Sequence, residues 1–157
     1  MRSYRHSLAF SIAFFLLSSL FWTGRLIGQN ISTEEVPAVV KTAFAMYYPN
    51  VTKVKWNRED QVFEAKYFEG SQRHDAEFDA QGHLLARERV IAEIDLPKAV
   101  LDAYRKDFPE HDLTEIEEIT DARTGNISYE LDITRGKRKF EAIYSPTGTL
   151  IRQYGDD

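Results

Sequence analysis

VPAVVKTAFAMYYP, residues 36–49, decides the fold, because it returns sixty residues later as LPKAVLDAYRKDFP, residues 96–109. The superposition matches Pro37 with Pro97, Val40 with Val100, Ala43 with Ala103 and Pro49 with Pro109. It also sets like against like at Val36 and Leu96, Phe44 and Tyr104, and Tyr48 and Phe108. Within each copy the apolar residues fall at helical spacing: Val36, Val40, Phe44 and Tyr47, then Leu96, Val100, Tyr104 and Phe108. The spacing predicts one helix per copy, buried along that stripe. Pro37 and Pro97 fit a first turn, where a missing N–H costs nothing, and Pro49 and Pro109 stop the helix. Ser32 and Glu35 have capping-box spacing, although a cap there would push Pro37 into the second turn.

Beyond the helices the offset grows to 66. Glu64 then meets Glu130, Gly70 meets Gly136, Ala76 meets Ala142, Gly82 meets Gly148 and Leu84 meets Leu150. The six extra residues fall around Asp121 to Asn126, where Thr124-Gly125-Asn126 reads as a longer turn. Two copies of a unit of about 60 residues follow from this agreement of glycines and prolines.

In these later segments the hydrophobic period changes to two. Apolar residues alternate with charged ones over residues 63–67 and 129–133, and again over 74–78 and 140–144. Such alternation predicts half-buried antiparallel strands. Further strands are expected through Val54 and Trp56, near Ile116, and after Gly82 and Gly148. The fold class is α+β, with one helix and about four antiparallel strands in each unit. A lone unit of that size has a marginal core, so the two sheets are expected to join edge to edge or pack closely, with both helices on one face. The opposite face is expected to be polar and open to solvent. It would carry Glu64, Lys66, Asp75 and Glu77 from the first unit, and Glu130, Asp132, Lys139, Glu141 and Ile143 from the second.

The amino terminus has the pattern of a signal peptide. Arg2, Arg5 and His6 precede an apolar stretch from Leu8 to Trp22, broken only by serines. That stretch is shorter than the roughly 20 residues a permanent anchor needs, and Arg25 blocks its extension. Cleavage is expected at Gly28, giving a leader over 1–28, a first repeat over 29–94 and a second over 95–157. Loss of Arg2, Arg5 and Arg25 takes the 20 basic residues to 17 against 25 acidic ones, so the net charge moves from -5 to -8. A chain this acidic is a poor nucleic-acid binder. Having no cysteine, it has no disulfide framework, thiolate metal site or cysteine nucleophile.

A signal peptide followed twice by a proline-led helix, aromatic-charged strands and an Asp/Ser-x-x-Gly turn resembles the PepSY-like family of exported proteins. The carrying segments are residues 36–49, 53–56, 63–65 and 79–85 with their second-unit counterparts, and the likeness extends over the mature chain. That family is similar in fold to the beta-lactamase inhibitor protein, whose two repeats form one curved antiparallel sheet with a partner held on its concave side. The resemblance implies a periplasmic or secreted, non-catalytic module recognising a protein partner. The inhibitor's disulfides have no counterpart here, and none of its enzyme-contacting residues maps onto this sequence. The alternative is a small-molecule or ion sensor binding in a groove between the repeats.

The residues expected to touch a partner are Glu64, Lys66, Phe68, Glu77, Glu130, Asp132, Glu141 and Ile143, the acids selecting a basic patch and Phe68 and Ile143 adding apolar area. Tyr47, Trp56, Phe68 and Tyr154 read as core aromatics, with an aromatic binding surface as the other possibility. No catalytic elbow, phosphate loop or dinucleotide fingerprint is present, and no cofactor is expected. His74, His83 and His111 lack metal-ligand spacing, so no metal is assigned, although His74 and His83 flank one turn and are candidates to face each other across it. Glu115, Glu117, Glu118 and Asp121 read as a solvated acidic edge. Asn30, Asn50 and Asn126 head glycosylation triplets, a short pattern common by chance that would carry no weight in a bacterial export pathway.

Overall fold

The computed structural model describes residues 28–155. The signal-peptide reading of the leader lies outside them. Two helices, α1 (Ala38–Tyr47) and α2 (Lys98–Asp107), lie against one antiparallel sheet of nine strands. In chain order these are β1 (Gln29–Ile31), β2 (Val54–Glu59), β3 (Val62–Glu69), β4 (Gln72–Asp79), β5 (Leu84–Val90), β6 (Asp112–Asp121), β7 (Ile127–Arg135), β8 (Arg138–Tyr144) and β9 (Leu150–Gly155). Strand order is chain order, so each strand pairs with its neighbours in sequence. The duplicated halves join through the β5–β6 ladder, which runs from Ala86 opposite Asp121 to Val90 opposite Glu117.

Residues directly opposite in a ladder point to the same face. That rule places both helices on one side. Val36, Val40 and Phe44 bury against Trp56, Phe63, Ala65, Tyr67, Ala76 and Phe78. Leu96, Val100, Tyr104 and Phe108 bury against Ile116, Leu131, Ile133, Phe140, Ala142 and Tyr144. Each cluster has the make-up of a small core, in which a fully buried Leu, Val or Phe contributes about 1.5–3 kcal/mol.

The helix ends follow the repeat. Pro37 and Pro97 stand at the N-caps with nearly identical backbone angles, and the Tyr48 and Phe108 N–H groups close the last turns on Phe44 and Tyr104 at 2.8 Å. Ser32 does receive its capping partner, its N–H donating to Glu35 Oε2 at 2.8 Å. That pair closes a separate turn, since α1 begins only at Ala38. The first stripe runs through Tyr48 and not Tyr47: Tyr48 is half-buried and packs on Phe44 and Tyr67, whereas Tyr47 is exposed. The repeat itself favours this, because Tyr48 is the counterpart of buried Phe108.

Gly82 and Gly148 match for a steric reason. Their φ values are +82° and +80°, and each turn tucks against the first turn of its unit's helix. A Cβ at Gly82 would stand 3.0 Å from the Val39 carbonyl oxygen, and one at Gly148 would press into that of Ala99. Asp79 accepts from the Gln81 and His83 N–H groups in the first turn, and the Ser145 hydroxyl accepts from Thr149 N–H in the second. The expected six-residue insertion is the β6–β7 loop, where the Asp121 carboxylate accepts from the N–H groups of Arg123 and Thr124.

Three features go beyond the sequence reading. Strand β1 is one: three residues leave no periodicity to read. The second is a pair of matched irregularities, with the register shifting between Glu77 and Phe78 on β4 and between Ile143 and Tyr144 on β8. Such bulges raise the local twist and bend a sheet, here at the same place in both halves. The third is Arg73, which reaches from β4 over Val90 to β6 and tethers the two units through Glu115 and Glu117.

Candidate functional site

The face away from the helices is set by the same ladders. Its rows run Asn57–Glu64–Glu77–Ala86, Lys55–Lys66–Asp75–Glu88 and Val90–Glu117–Glu130–Ile143–Arg152. A shorter row is Glu115–Asp132–Glu141–Tyr154. All eight sequence-selected residues lie on it: Glu64, Lys66, Phe68 and Glu77 from the first unit, Glu130, Asp132, Glu141 and Ile143 from the second.

The expectation of a solvent-open face needs correction. Glu64, Asp75, Glu77, Glu130 and Ile143 are buried, with Asp75 only 1% and Glu130 only 2% exposed. They are not under the helices. The face is curved inward, and a cavity of about 190 Å³ is lined both by Glu59, Glu64 and Glu77 of the first unit and by Glu141 of the second. Of the two residues chosen for apolar area only Phe68 offers it, at 64% exposed. Phe68 is therefore no core residue, and Tyr154 is only half-buried; of the four aromatics assigned to the core, Trp56 alone is fully enclosed.

Lys66 organises the first unit's carboxylates. Its Nζ lies 3.1 Å from both Glu64 Oε1 and Asp75 Oδ2. Burial works against the ammonium, yet Glu64 and Asp75 outweigh it and raise the Lys66 pKa above the ordinary lysine value. Burial dominates at Asp75, whose pKa is raised despite Lys66 and despite Arg73 Nε 3.8 Å away. Asn57 donates to the other Glu64 oxygen at 2.9 Å.

The acidic run was expected as a solvated edge, but it lies in central strand β6 and alternates between faces. Glu115 takes a bidentate pair from Arg73 at 2.8 Å, and Glu117 is buried beside it. Glu118 points to the helix face and accepts from Arg89 Nε at 2.8 Å. Sequence reasoning missed Arg73, Glu88 and Glu117 as members of the concave face. Parity along β4 and β5 would have placed the first two, but the Arg73 reach across strands has no local signal.

The histidines form no joint site. His74 pairs across the ladder with Arg89 and stacks on Tyr67, His83 binds Asp79 in the turn, and His111 sits between Phe108 and Phe140. Among the described residues, the groups of three side chains close enough to share a metal ion are all-carboxylate: Glu64, Asp75 and Glu88, and Glu130, Asp132 and Glu141.

A duplicated helix-plus-meander forming a single curved sheet, with polar side chains lining its hollow side, defines an open-faced binding architecture. The chain belongs to the family described as putative beta-lactamase-inhibitor-like, PepSY-like, which matches residues 25–85 and 64–152. Solved structures agree in fold. A DUF2874 family protein from Bacteroides uniformis superposes with a TM-score of 0.66 at 18% identity, over 76% of this chain and 88% of that one. A protein described as putative periplasmic from Bacteroides eggerthii gives 0.67 at 14%, over 76% and 88%. A BLIP-like protein from Bacteroides fragilis gives 0.59 at 21%, over 76% and 86%. No curated protein matches the sequence. The family is named for likeness to an inhibitor, which fits a non-catalytic binding module. No helix among the described residues is long and apolar enough to cross a membrane.

Proposed function

We propose that this protein is a periplasmic or secreted, non-catalytic module that grips a protein partner on the concave face of its sheet. The observation that carries the reading is the charge pattern of that face. Glu59, Glu64, Glu77, Glu88, Glu117, Glu130, Asp132 and Glu141 outnumber Lys55, Lys66, Arg73, Lys139 and Arg152. A partner with a basic patch is steered to such a surface, and rigid ladders hold the acids where a complementary shape meets them. We assign direct contact to Lys66, Phe68, Asp132 and Glu141, which keep solvent exposure, while the buried Glu64, Glu77 and Glu130 contribute charge from beneath and Ile143 packs under the face.

Affinity capture from the native cell envelope tests this. A retained protein should elute with rising salt, and E141K should lose it while keeping the wild-type melting temperature. A retained protein indifferent to both changes would sink the reading. A second reading, a small-molecule sensor seated between the units, draws its support from the cavity shared by Glu59, Glu64, Glu77 and Glu141. In a thermal-shift screen, a compound that raises the melting temperature of wild type but not of E141K would favour it.

A further inference from the structure

The two units cover their edges unequally. Under the offset of 66, β9 is the counterpart of β5, with Leu150 for Leu84, Ile151 for Leu85 and Gln153 for Arg87. The outer side of β5 is closed by β6. There the Leu85 carbonyl accepts from Ala122 N–H at 2.8 Å, and the ladder runs on to Ile91, whose N–H donates to the Ile116 carbonyl at 2.9 Å. β9 ends the sheet, with no strand on its outer side among the described residues. Leu84 and Leu85 are half-buried, whereas Leu150 is 39% and Ile151 54% exposed. The opposite edge of the sheet is closed. β1 pairs Gln29 with Arg58 and Ile31 with Trp56, and the offset of 60 turns these into Arg89 opposite Glu118 and Ile91 beside Ile116, the last rungs of the β5–β6 joint. β1 thus stands on β2 where the end of a preceding unit would stand, and with three residues it is a poor template itself.

We propose that β9 pairs antiparallel with β9 of a second copy of this chain, extending the sheet across a two-fold axis. A head-to-tail stack would need the edge of β2, which β1 occupies, so the bare edge meets only its like and association closes at two. The register follows from the repeat. By correspondence with Leu85, Arg87 and Arg89, the residues whose main-chain groups point outward are Ile151, Gln153 and Gly155. With Gln153 on the axis, Ile151 stands opposite Gly155 and Arg152 opposite the second copy's Tyr154, so all three outward residues are paired. An axis at Arg152 would instead set two guanidinium groups directly opposite each other. Charge permits the approach, since the chain has a net charge of -5 yet carries no acid between Leu150 and Gly155. Opposite residues share a face, so both concave faces open to the same side of the joined sheet.

The inference goes beyond the partner reading and does not depend on it, because self-association is measured on the pure protein. A ladder of six residues a side is small beside the roughly 1,200–2,000 Å² of a standard interface, so a dissociation constant of roughly 10⁻⁶ to 10⁻⁵ M is expected. Sedimentation velocity of the exported protein over roughly 1–200 µM, a range that spans this constant, should show the mass doubling and growing no further. Q153P removes an outward N–H that the β8 ladder does not use, so it should keep the wild-type melting temperature and stay monomeric. I151K puts a charge on the same edge and gives the same readout where Q153P fails to fold. The chain has no cysteine, so Q153C introduces the first. On the axis its two Cα atoms would lie about 5.5 Å apart, and mild oxidation should join them in an interchain disulfide, while S71C in the β3–β4 turn should stay reduced. A wild type that remains monomeric over the whole range, with β9 bare or holding a foreign strand, overturns the proposal. So does growth past the dimer, a dimer that survives both Q153P and I151K, or cross-linking of S71C as readily as of Q153C.

Discussion

Replacing Lys66 by methionine keeps the length of the side chain and strands the carboxylates it bridges. The ammonium is 3.1 Å from Glu64 Oε1 and from Asp75 Oδ2, and the Asp75 side chain is 1% exposed while Lys66 is 30% exposed. At an effective dielectric of about 20, each contact is a gross attraction of roughly 5 kcal/mol, most of it offset by desolvation. Removing one partner of a buried pair costs about 3–5 kcal/mol, and the partial exposure of Lys66 puts this case near about 3 kcal/mol. Urea unfolding followed through Trp56, which is buried on the opposite face of β2, measures it directly. The pH dependence carries the diagnosis. Burial already raises the Asp75 pKa in the folded state, so the native protein binds the extra proton and stability falls as pH rises through that window. Loss of Lys66 moves Asp75 further up. The K66M defect should therefore be largest near pH 7, shrink as pH falls toward 4, and be relieved by adding D75N. A cost below about 1 kcal/mol at pH 7, or one that stays constant with pH, would refute the reasoning.

Two further outcomes follow from the turns. G148A should destabilise by about 3 kcal/mol or more and G82A by about 1–2 kcal/mol in thermal or urea unfolding, because both adopt positive φ but only the Gly148 Cβ is driven hard into helix backbone. At Asp79, burial pushes the pKa up, but the His83 N–H and ring and the Gln81 N–H outweigh it and hold the carboxyl below its usual range. Its contribution is thus present above the unfolded-state pKa and lost as pH falls through the folded one. D79N should accordingly destabilise at pH 7 and match wild type near pH 2, and equal defects at both pH values would count against the Asp79 cap.

The duplication was legible because it rests on residues whose roles are local. Prolines bound the helices, Val40 and Val100 mark their buried stripes, and Gly82 and Gly148 mark turns that no larger residue fits. Alternation in β3, β4, β7 and β8 gave the faces correctly, which is why all eight chosen residues share one side of the sheet. What escaped notice depends on relations between strands. The register shifts after Glu77, Leu113 and Ile143 are of this kind, since a shift has no signature in an alternating pattern. Alternation likewise says nothing of how deeply Glu64, Glu77 and Glu130 are covered on their face. Glu115 and Glu117 read as a free edge because Arg73, their partner, is more than forty residues earlier in the chain.

Nearest-neighbour strand order also bears on how the chain assembles. Every ladder of the first half, β1 through β5, is complete before residue 98 of α2 has been reached. During synthesis from the amino terminus, the outer side of β5 is thus a finished template from Ala86 to Val90, awaiting β6. Such an edge is an invitation to a stranger's strand as much as to its own. Here the waiting edge carries Arg87 and Arg89 on one side and Glu88 on the other, charges that discourage adventitious pairing until Glu118 arrives to meet Arg89.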